Sequence, residues 1–267
     1  RLADPFDTIA VEGPMARDVA DLALFFDAMT GYDSGDILTA PTSEPPFLAA
    51  ALTPRKPARV AVSPDLGMLP VEEPIRSALD RLAEMLNRAG VAVAHNSPDV
   101  AGAMDAFRVL RGEGFYATFE PLFETHRHAF PAPVLADLLR GRDQPGHAIV
   151  SANRIRSELY RRTVDVLDEH DFLICPATQV MPFSVETLFP ETVAGQPMQD
   201  YLDWITITAI WSLTSLPAIA IPIGFSREGL AIGVQILSHA RREADLFRLA
   251  AWIERELALP IGPIDPR

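Results

Sequence analysis

A β-α-β pattern between residues 59 and 94 constrains the fold of this chain more than any other segment. Residues 59–63 form a short apolar strand candidate, and residues 74–89 follow as an amphipathic helix with Ile75 and three leucines on one face. Residues 91–94 are the next strand candidate. Because a strand, a helix and a strand in succession favour a right-handed crossover, this segment predicts two parallel strands packed against a helix.

The rest of the chain continues the alternation of helical and extended patterns. Helical periodicity predicts helices over 16–30, 149–169, 201–215 and 243–257, and a mostly helical stretch over 98–144. Apolar runs predict strands at 173–176, at 218–225 and at 231–237, with a hairpin turn at 226–229. Proline-bearing stretches at 32–57 and 181–199 are typical of connections. Together these elements predict an α/β fold in which helices sandwich a mixed β-sheet.

Charge and cysteine content exclude several classes of partner. The net charge is −13, from 23 basic and 36 acidic residues, which argues against a nucleic-acid or anionic-membrane surface. No apolar run is long enough to span a bilayer. The one cysteine, Cys175, allows no internal disulfide, so a cytoplasmic location is predicted. The chain opens at Arg1 directly in domain-like sequence, as a segment cut from a longer protein would.

The motifs that most often carry hydrolytic or metal chemistry fail on spacing. The segment around Ser34 has glycines on both sides, but it does not fit the Gly-x-Ser-x-Gly elbow and it follows a helix. His126 and His128, with Glu124 nearby, have no spaced third ligand, so polar surface residues are favoured over a metal site. The sequence therefore predicts no metal and no organic cofactor.

The chain has one lysine, Lys56, in a proline-bounded connector. A lysine that acts as a base must be buried or lie beside other cations, and a connector predicts neither. We therefore expect Lys56 to be exposed. Cys175 lies in an apolar strand pattern and is predicted to be a small core residue and not a nucleophile.

Arg156 stands out because it lies on the apolar face of a predicted helix, in line with Leu159 and Leu167. Burying a guanidinium costs several kcal/mol unless oxygen atoms satisfy it. We predict that Arg156 is largely buried and paired with an acid, with carbonyl groups or with a substrate oxygen. The alternative is that it extends to solvent at the end of the helix.

Four segments, taken in order, resemble the C-terminal part of the amidase signature family. They are Gly-Pro-Met-Ala-Arg-Asp-Val-Ala-Asp at 13–21, the β-α-β unit at 59–94, Arg156 with Asp-Phe-Leu-Ile-Cys-Pro-Ala-Thr at 171–178, and Leu-Thr-Ser-Leu-Pro-Ala at 213–218 with Pro-Ile-Gly at 222–224 and Gly-Val-Gln-Ile at 233–236. The resemblance implies an α/β/α hydrolase of amide C–N bonds. It further implies that residues 1–267 are the C-terminal part of one such domain.

The resemblance also exposes an absence. Members of the family use a lysine and two serines in a glycine- and serine-rich signature upstream of the segment that matches Gly13 to Arg17. The chain contains no such stretch, and Lys56 lies downstream of that point. No catalytic residue is therefore predicted, and the chain alone is expected to cleave no amide. Its complete protein is expected to act on a small-molecule amide.

The resemblance predicts substrate-lining residues as well, although the chain departs from the family pattern. Ser212 stands where the family usually has asparagine, and Ser215 stands at a usual glycine position. Ser212 is shorter and cannot form the same pair of amide hydrogen bonds. The predicted lining residues are Arg156, Thr178, Trp204 and Ser212.

Two other hypotheses stay open at this point. The chain could be a non-catalytic binding protein that kept this half of the fold, or one chain of a split enzyme. An incomplete sheet would present an open strand edge, which favours association with another copy or with the missing N-terminal half. The alternative is a self-contained smaller domain whose edge is already capped. The strands at 218–225 and 231–237 are both apolar enough to be predicted as interior strands.

Overall fold

The computed structural model describes residues 6–260. The helices are α1 (Val19–Met29), α2 (Phe47–Leu52), α3 (Glu73–Arg88), α4 (Ala103–His126), α5 (Ala132–Arg142), α6 (Gly146–Glu169), α7 (Thr206–Ala209) and α8 (Glu243–Leu257). The strands are β1 (Arg59–Val62), β2 (Ala92–His95), β3 (Phe172–Pro176), β4 (Thr192–Val193), β5 (Gln196–Pro197), β6 (Ala218–Phe225) and β7 (Ala231–Leu237). Short 3-10 turns lie at Arg127–Ala129, Asp203–Ile205 and Ile210–Leu213.

The central sheet is mixed, as predicted. Its strand order is β2-β1-β3-β7-β6. Strand β1 pairs in parallel with both β2 and β3, whereas β7 is antiparallel to β3 and to β6. The predicted parallel β-α-β unit is confirmed by the register of β1 on β2. Strands β4 and β5 form a separate short hairpin within the stretch predicted as irregular.

Helices cover both faces of the sheet. Across the strand order, the connection from β1 to β2 runs in one direction and the connection from β2 to β3 runs in the opposite direction. Because both crossovers are expected to be right-handed, α3 and α6 lie on opposite faces. On α8, Glu254 accepts a hydrogen bond from the backbone N–H of Val19 at 3.1 Å, which ties the start of α1 to the domain. No helix within residues 6–260 is long and apolar enough to cross a membrane.

The core is centred on β3, whose five residues are all buried. Its apolar side chains meet those of the neighbouring strands, as expected for a strand covered on both faces. Cys175 lies in this strand with no exposed surface, which confirms the prediction that it is a core residue.

Residues 201–215 were predicted as one continuous helix, and that prediction is wrong because the segment is divided into short pieces. The segment forms a 3-10 turn, the four-residue helix α7 and a second 3-10 turn. Side chains compete here with the regular helical hydrogen bonds. The hydroxyl of Thr206 donates to Asp203 O at 2.9 Å, and that of Thr214 donates to Trp211 O at 2.7 Å.

Strand β6 was predicted to be interior, but it lies at the edge of the sheet. It pairs with β7 on one side, and no strand within residues 6–260 pairs with its other side. Its residues alternate between exposed and buried: Ile219, Ile221 and Ile223 are buried, whereas Ala218, Ala220 and Pro222 are exposed. The apolar sequence of β6 therefore predicted more burial than this strand has in the chain.

Helices α4 and α5 form a hairpin that matched no family motif. They approach so closely that a Cβ added to Gly141 would collide with the carbonyl group of Gly112. The buried carboxylate of Asp137 joins the two helices. It accepts from Arg111 Nε at 2.9 Å and from Arg140 Nη1 at 2.7 Å.

Candidate functional site

Strand β3 ends at the carboxyl edge of the sheet, and the loop that follows it carries Thr178. The neighbouring Gln179 is completely buried and holds this loop in place. Its Nε2 donates to Pro70 O at 3.1 Å, and its Oε1 accepts from the backbone N–H of Ile207 at 3.0 Å. One side chain thus joins the loop after β3 both to the loop before α3 and to helix α7.

A second buried glutamine strengthens the same junction. Gln235 projects from β7, and its Nε2 donates to the carbonyl oxygens of Pro176 and Ile207, each at 2.8 Å. The hydroxyl of Thr208 adds a bond to Ala177 O at 2.6 Å. The loop after β3 is therefore fixed against α7 by side-chain hydrogen bonds from both segments and from β7.

Trp204 lies at the start of the same helical run, between two aromatic rings. Its ring is nearly perpendicular to those of Phe183 and Tyr201, with centroid distances of 5.3 and 5.7 Å. Edge-to-face geometry of this kind is favourable for aromatic pairs. We call Phe183, Tyr201 and Trp204 the aromatic cluster.

Two predicted lining residues carry buried polar atoms that have no hydrogen-bond partner within residues 6–260. These atoms are Oγ1 of Thr178 and Nε1 of Trp204, and the only others of this kind in that range belong to Thr30 and Trp211. A buried donor left without an acceptor costs roughly 1–3 kcal/mol. Such atoms are typical of positions that meet a ligand, a water molecule or another polypeptide.

The α4–α5 hairpin holds the segment that carries Trp204. Arg108 of α4 donates from Nη2 to Asp200 Oδ1 at 2.8 Å and to Asp203 Oδ1 at 2.6 Å. Asp203 also accepts the backbone N–H of Gln199 at 2.6 Å. Because Asp203 directly precedes Trp204, this ion pair fixes the backbone on which the aromatic cluster stands.

Arg156 is paired, as predicted, although it is half-buried and not largely buried. Its Nε donates to Leu213 O at 2.7 Å, and its Nη2 contacts the hydroxyls of Thr8 and Ser215. Burial lowers the pKa of the guanidinium, and the nearby charge of Asp7 opposes that shift. The observed partners are thus a carbonyl and two hydroxyl groups. The chain near Thr8 is held further by the Ser215 hydroxyl, which donates to Thr8 O at 3.1 Å.

Ser212 lies in the 3-10 turn next to the carbonyl group that Arg156 binds. It is half-buried, and its hydroxyl has no hydrogen bond to any residue in the described part of the chain. Residues 203–213 therefore connect the Trp204 end of the candidate site to the Arg156 end. No hydrogen bond within residues 6–260 joins any two of the four predicted lining side chains directly. Contact of these side chains with a substrate stays a prediction.

Two groups that the sequence excluded as catalytic have the predicted burial: Lys56 is exposed and Cys175 is buried. Lys56 is exposed, and its Nζ donates to Ala89 O at 2.6 Å, at the end of α3. Burial raises the pKa of the Cys175 thiol to about 12, so this thiol stays protonated at neutral pH. Within residues 6–260, no group of three or more histidine, cysteine, aspartate or glutamate residues is placed to hold a metal ion.

Sequence reasoning missed Arg108, Gln179 and Gln235, which position the site. A polar residue in the middle of the apolar pattern at 231–237 was the available signal for Gln235. No comparable signal marked Arg108, because its partners lie 92 and 95 residues away in the sequence.

The amino-acid sequence of this chain matches one protein family and several curated proteins. The family described as Amidase matches residues 2–247. An acylamidase of Rhodococcus erythropolis is 27% identical over 257 residues, which cover 95% of this chain and 54% of the relative. A glutamyl-tRNA(Gln) amidotransferase subunit of Thermosynechococcus vestitus is 25% identical over 269 residues, covering 91% of this chain and 54% of the relative. The chain thus spans about half the length of these curated relatives.

Solved structures share the fold at lower sequence identity. A bacterial aryl acylamidase of the amidase signature family superposes with a TM-score of 0.85 at 20% identity, covering 98% of this chain and 57% of the other. A 6-aminohexanoate cyclic dimer hydrolase, solved with its substrate, gives a TM-score of 0.78 at 21% identity, covering 91% and 54%. The mixed sheet with helices on both faces is therefore the architecture of amidase signature enzymes.

Proposed function

Because this chain belongs to the amidase family, we propose that it supplies the C-terminal part of an enzyme that hydrolyses the C–N bond of a small-molecule amide. The family match across residues 2–247, joined with coverage of about half of each relative, is the observation that carries the proposal. The relative named acylamidase supports the same class of reaction.

The resemblance to the family implies a chemistry that depends on a lysine and two serines. A neutral lysine takes a proton through the bridging serine, and the second serine attacks the amide carbonyl carbon. Backbone N–H groups stabilise the oxyanion, the amine departs with a proton, and water then releases the acid from the acyl-enzyme. These groups belong to the glycine- and serine-rich signature, and not to residues 1–267.

We propose that the chain by itself has no serine-dependent hydrolase activity. Its one lysine, Lys56, donates a hydrogen bond to a carbonyl oxygen and is exposed to water. A base must instead present a lone pair to a serine hydroxyl. Lys56 also lies at the amino edge of the sheet, whereas the aromatic cluster and Thr178 belong to segments held beside the carboxyl edge.

Within the complete enzyme, Thr178 and the aromatic cluster would line the amide pocket, with Arg156 and Ser212 at its other end. The support is the pair of buried polar atoms on Thr178 and Trp204 that find no partner within residues 6–260. An amide substrate offers a carbonyl acceptor and an N–H donor, which such atoms can bind.

The partner we propose is the other half of the family fold, either on the same polypeptide or as a separate chain. The open side of β6 supports this, because backbone groups along an edge strand can pair with another strand. The amidotransferase relative is named as one component of a larger assembly, which favours the same kind of association. A second copy of this chain is the alternative occupant of that edge.

The nucleotide sequence upstream of the Arg1 codon provides the starting point for the test. If an in-frame lysine and a glycine- and serine-rich signature lie there, the longer polypeptide is expected to release amine from aliphatic or aromatic amides. A fluorophosphonate probe should label one serine of the longer polypeptide and none of the 267-residue chain. The longer polypeptide carrying Lys56→Met is the matched control and should stay active. Stoichiometric labelling of a serine in the 267-residue chain alone would refute the proposal.

A further inference from the structure

The amino edge of the sheet carries a cleft of about 380 Å³. Its walls come from the starts of β1 and β3, the residues after β7, the end of α6 and the first turns of α8. All of these segments reach the same edge because β7 is antiparallel to β3, so that Leu237 pairs with Leu173. The cleft is thus at the opposite end of β3 from Thr178, and an inference about it does not depend on the proposed amidase function.

Cationic side chains dominate this cleft, which we call the basic cleft. They are Arg55, Lys56, Arg59, Arg242 and Arg248. Three aspartates share the lining, so the cleft holds an excess of two positive charges before its histidines are counted. In a chain whose net charge is −13, the sign of the local charge is therefore reversed. A concave site of one sign attracts small ions of the opposite sign.

Each of the three aspartates contacts another group of the protein, although the side chain of Asp168 is exposed. Asp171 accepts the backbone N–H groups of Ala58 and Arg59 at 2.8 and 3.1 Å. Asp245 bonds to Arg242 and Arg248, and Asp168 lies 3.3 Å from the ring nitrogen of His239. Their carboxylates therefore satisfy other groups of the cleft and its rim.

Two guanidinium groups of the cleft have no such partner. The side chains of Arg55 and Arg59 are exposed and have no acceptor within residues 6–260. Each guanidinium presents several N–H donors in a planar fork that matches two oxygens of a phosphate or carboxylate. The start of α8 adds the partial positive charge of a helix N-terminus, which Glu243 and Asp245 in its first turn reduce.

We propose that the basic cleft binds a small oxyanion of the phosphate class that carries at least two negative charges. The volume of the cleft lies within the range of small-molecule sites, which is roughly 300–1,000 Å³. A polyanionic macromolecule fits less well, because the rest of the chain carries an excess of acidic charge that repels it. Polycarboxylates share the chemistry that Arg55 and Arg59 recognise, so the experiment compares the two ligand types.

Isothermal titration calorimetry of the 267-residue chain with inorganic pyrophosphate, inorganic phosphate and citrate, at constant ionic strength, tests the proposal. Saturable binding of pyrophosphate, tighter than that of citrate, is the expected result. The double variant Arg55→Gln/Arg59→Gln should weaken pyrophosphate binding about tenfold or more, the loss expected for charge-assisted hydrogen bonds. The matched control, Arg154→Gln/Arg161→Gln, removes the same charge from exposed positions of α6 outside the cleft and should bind like the unmodified chain.

A gain of affinity excludes a failure of folding as the explanation. Asp168→Asn removes a negative charge from the cleft and should tighten pyrophosphate binding, by about twofold or more at low salt. Three results would overturn the proposal: no saturable binding of any of the anions, tighter binding of citrate, or an equal loss of affinity in both double variants.

Discussion

The two edges of the central sheet are built in opposite ways, although the same strand, β3, ends at both. At the carboxyl edge, two buried glutamines close the loop after β3 against α7 through hydrogen bonds between uncharged groups. At the amino edge, exposed arginines and a lysine surround an open cleft. Buried polar contacts have few alternative partners, whereas exposed charges exchange theirs with water. Substitutions should therefore cost stability at the carboxyl edge and ligand affinity at the amino edge.

The largest effect on stability is expected from Gln235→Leu at the carboxyl edge. The substitution leaves the carbonyl oxygens of Pro176 and Ile207 buried without this donor, which should lower the free energy of unfolding by about 2–4 kcal/mol. Urea denaturation measures the change. Gln196→Leu, an exposed position in β5, is the control and should shift stability by less than about 0.5 kcal/mol. Similar losses in both variants would mean that the glutamine contacts do not fix this edge.

The next effect depends on pH and concerns the buried thiol of β3, between the two edges. Burial raises the pKa of Cys175 from 9.0 to about 12, so the folded thiol keeps its proton where the unfolded thiol has lost it. The contribution of the protonated thiol to the free energy of unfolding is fully present below pH 9. It is lost as pH rises toward 12, at about 1.4 kcal/mol per pH unit. Urea midpoints measured from pH 8 to pH 11 should fall more steeply for the unmodified chain than for Cys175→Ala. Parallel curves would contradict the prediction.

A smaller effect of opposite sign is expected from Thr178→Val. The hydroxyl has no partner within residues 6–260, so its removal should raise the free energy of unfolding of this chain by up to about 1 kcal/mol. Thr163→Val is the matched control. The Thr163 hydroxyl is buried and donates to Leu159 O at 2.8 Å, so its loss should destabilise the chain by about 1 kcal/mol. The two thermal unfolding shifts should differ in sign, and two losses of equal size would show that Thr178 is satisfied.

The smallest effect is expected at the amino edge, from Lys56→Met. The ammonium group donates to Ala89 O at the end of α3, but the side chain is exposed. Exposed charge contacts of this kind contribute little, so the free energy of unfolding should change by no more than about 0.5 kcal/mol. Chemical denaturation of the variant checks this. A loss of more than about 2 kcal/mol would remove the contrast between the two edges, because such a loss is typical of buried contacts.

Local patterns predicted much of the fold because the elements concerned form short-range contacts. The β-α-β unit, the helical stretch at 98–144 and the last hairpin each follow from periodicity and turn residues within one segment. The periodicity at 201–215 predicted helix, but Gln179 and Gln235 bind the backbone of Ile207 from other segments. Propensity alone cannot include such distant competitors.

For the candidate site, helical spacing predicted that Arg156 would be paired, and the resemblance to the family supplied Thr178, Trp204 and Ser212. The spacing could not predict that Thr8 and Ser215 would be partners of Arg156, because they lie 148 and 59 residues away in the sequence. For the same reason Arg108 and its aspartates were not found. Contacts across such separations depend on how the elements pack.

The sequence by itself determined the type and order of most helices and strands, because apolar periodicity and turn residues act over a few positions. It also predicted that Lys56 would be exposed and Cys175 buried, since a connector and an apolar strand differ in local pattern alone. Only the tertiary structure decided that β6 lies at an edge, that two glutamines close the carboxyl edge, and that five cations meet in one cleft. The physical reason is that the burial of a residue and the charge around it depend on side chains from segments far apart in the chain. The packing of the sheet determines which of these segments meet.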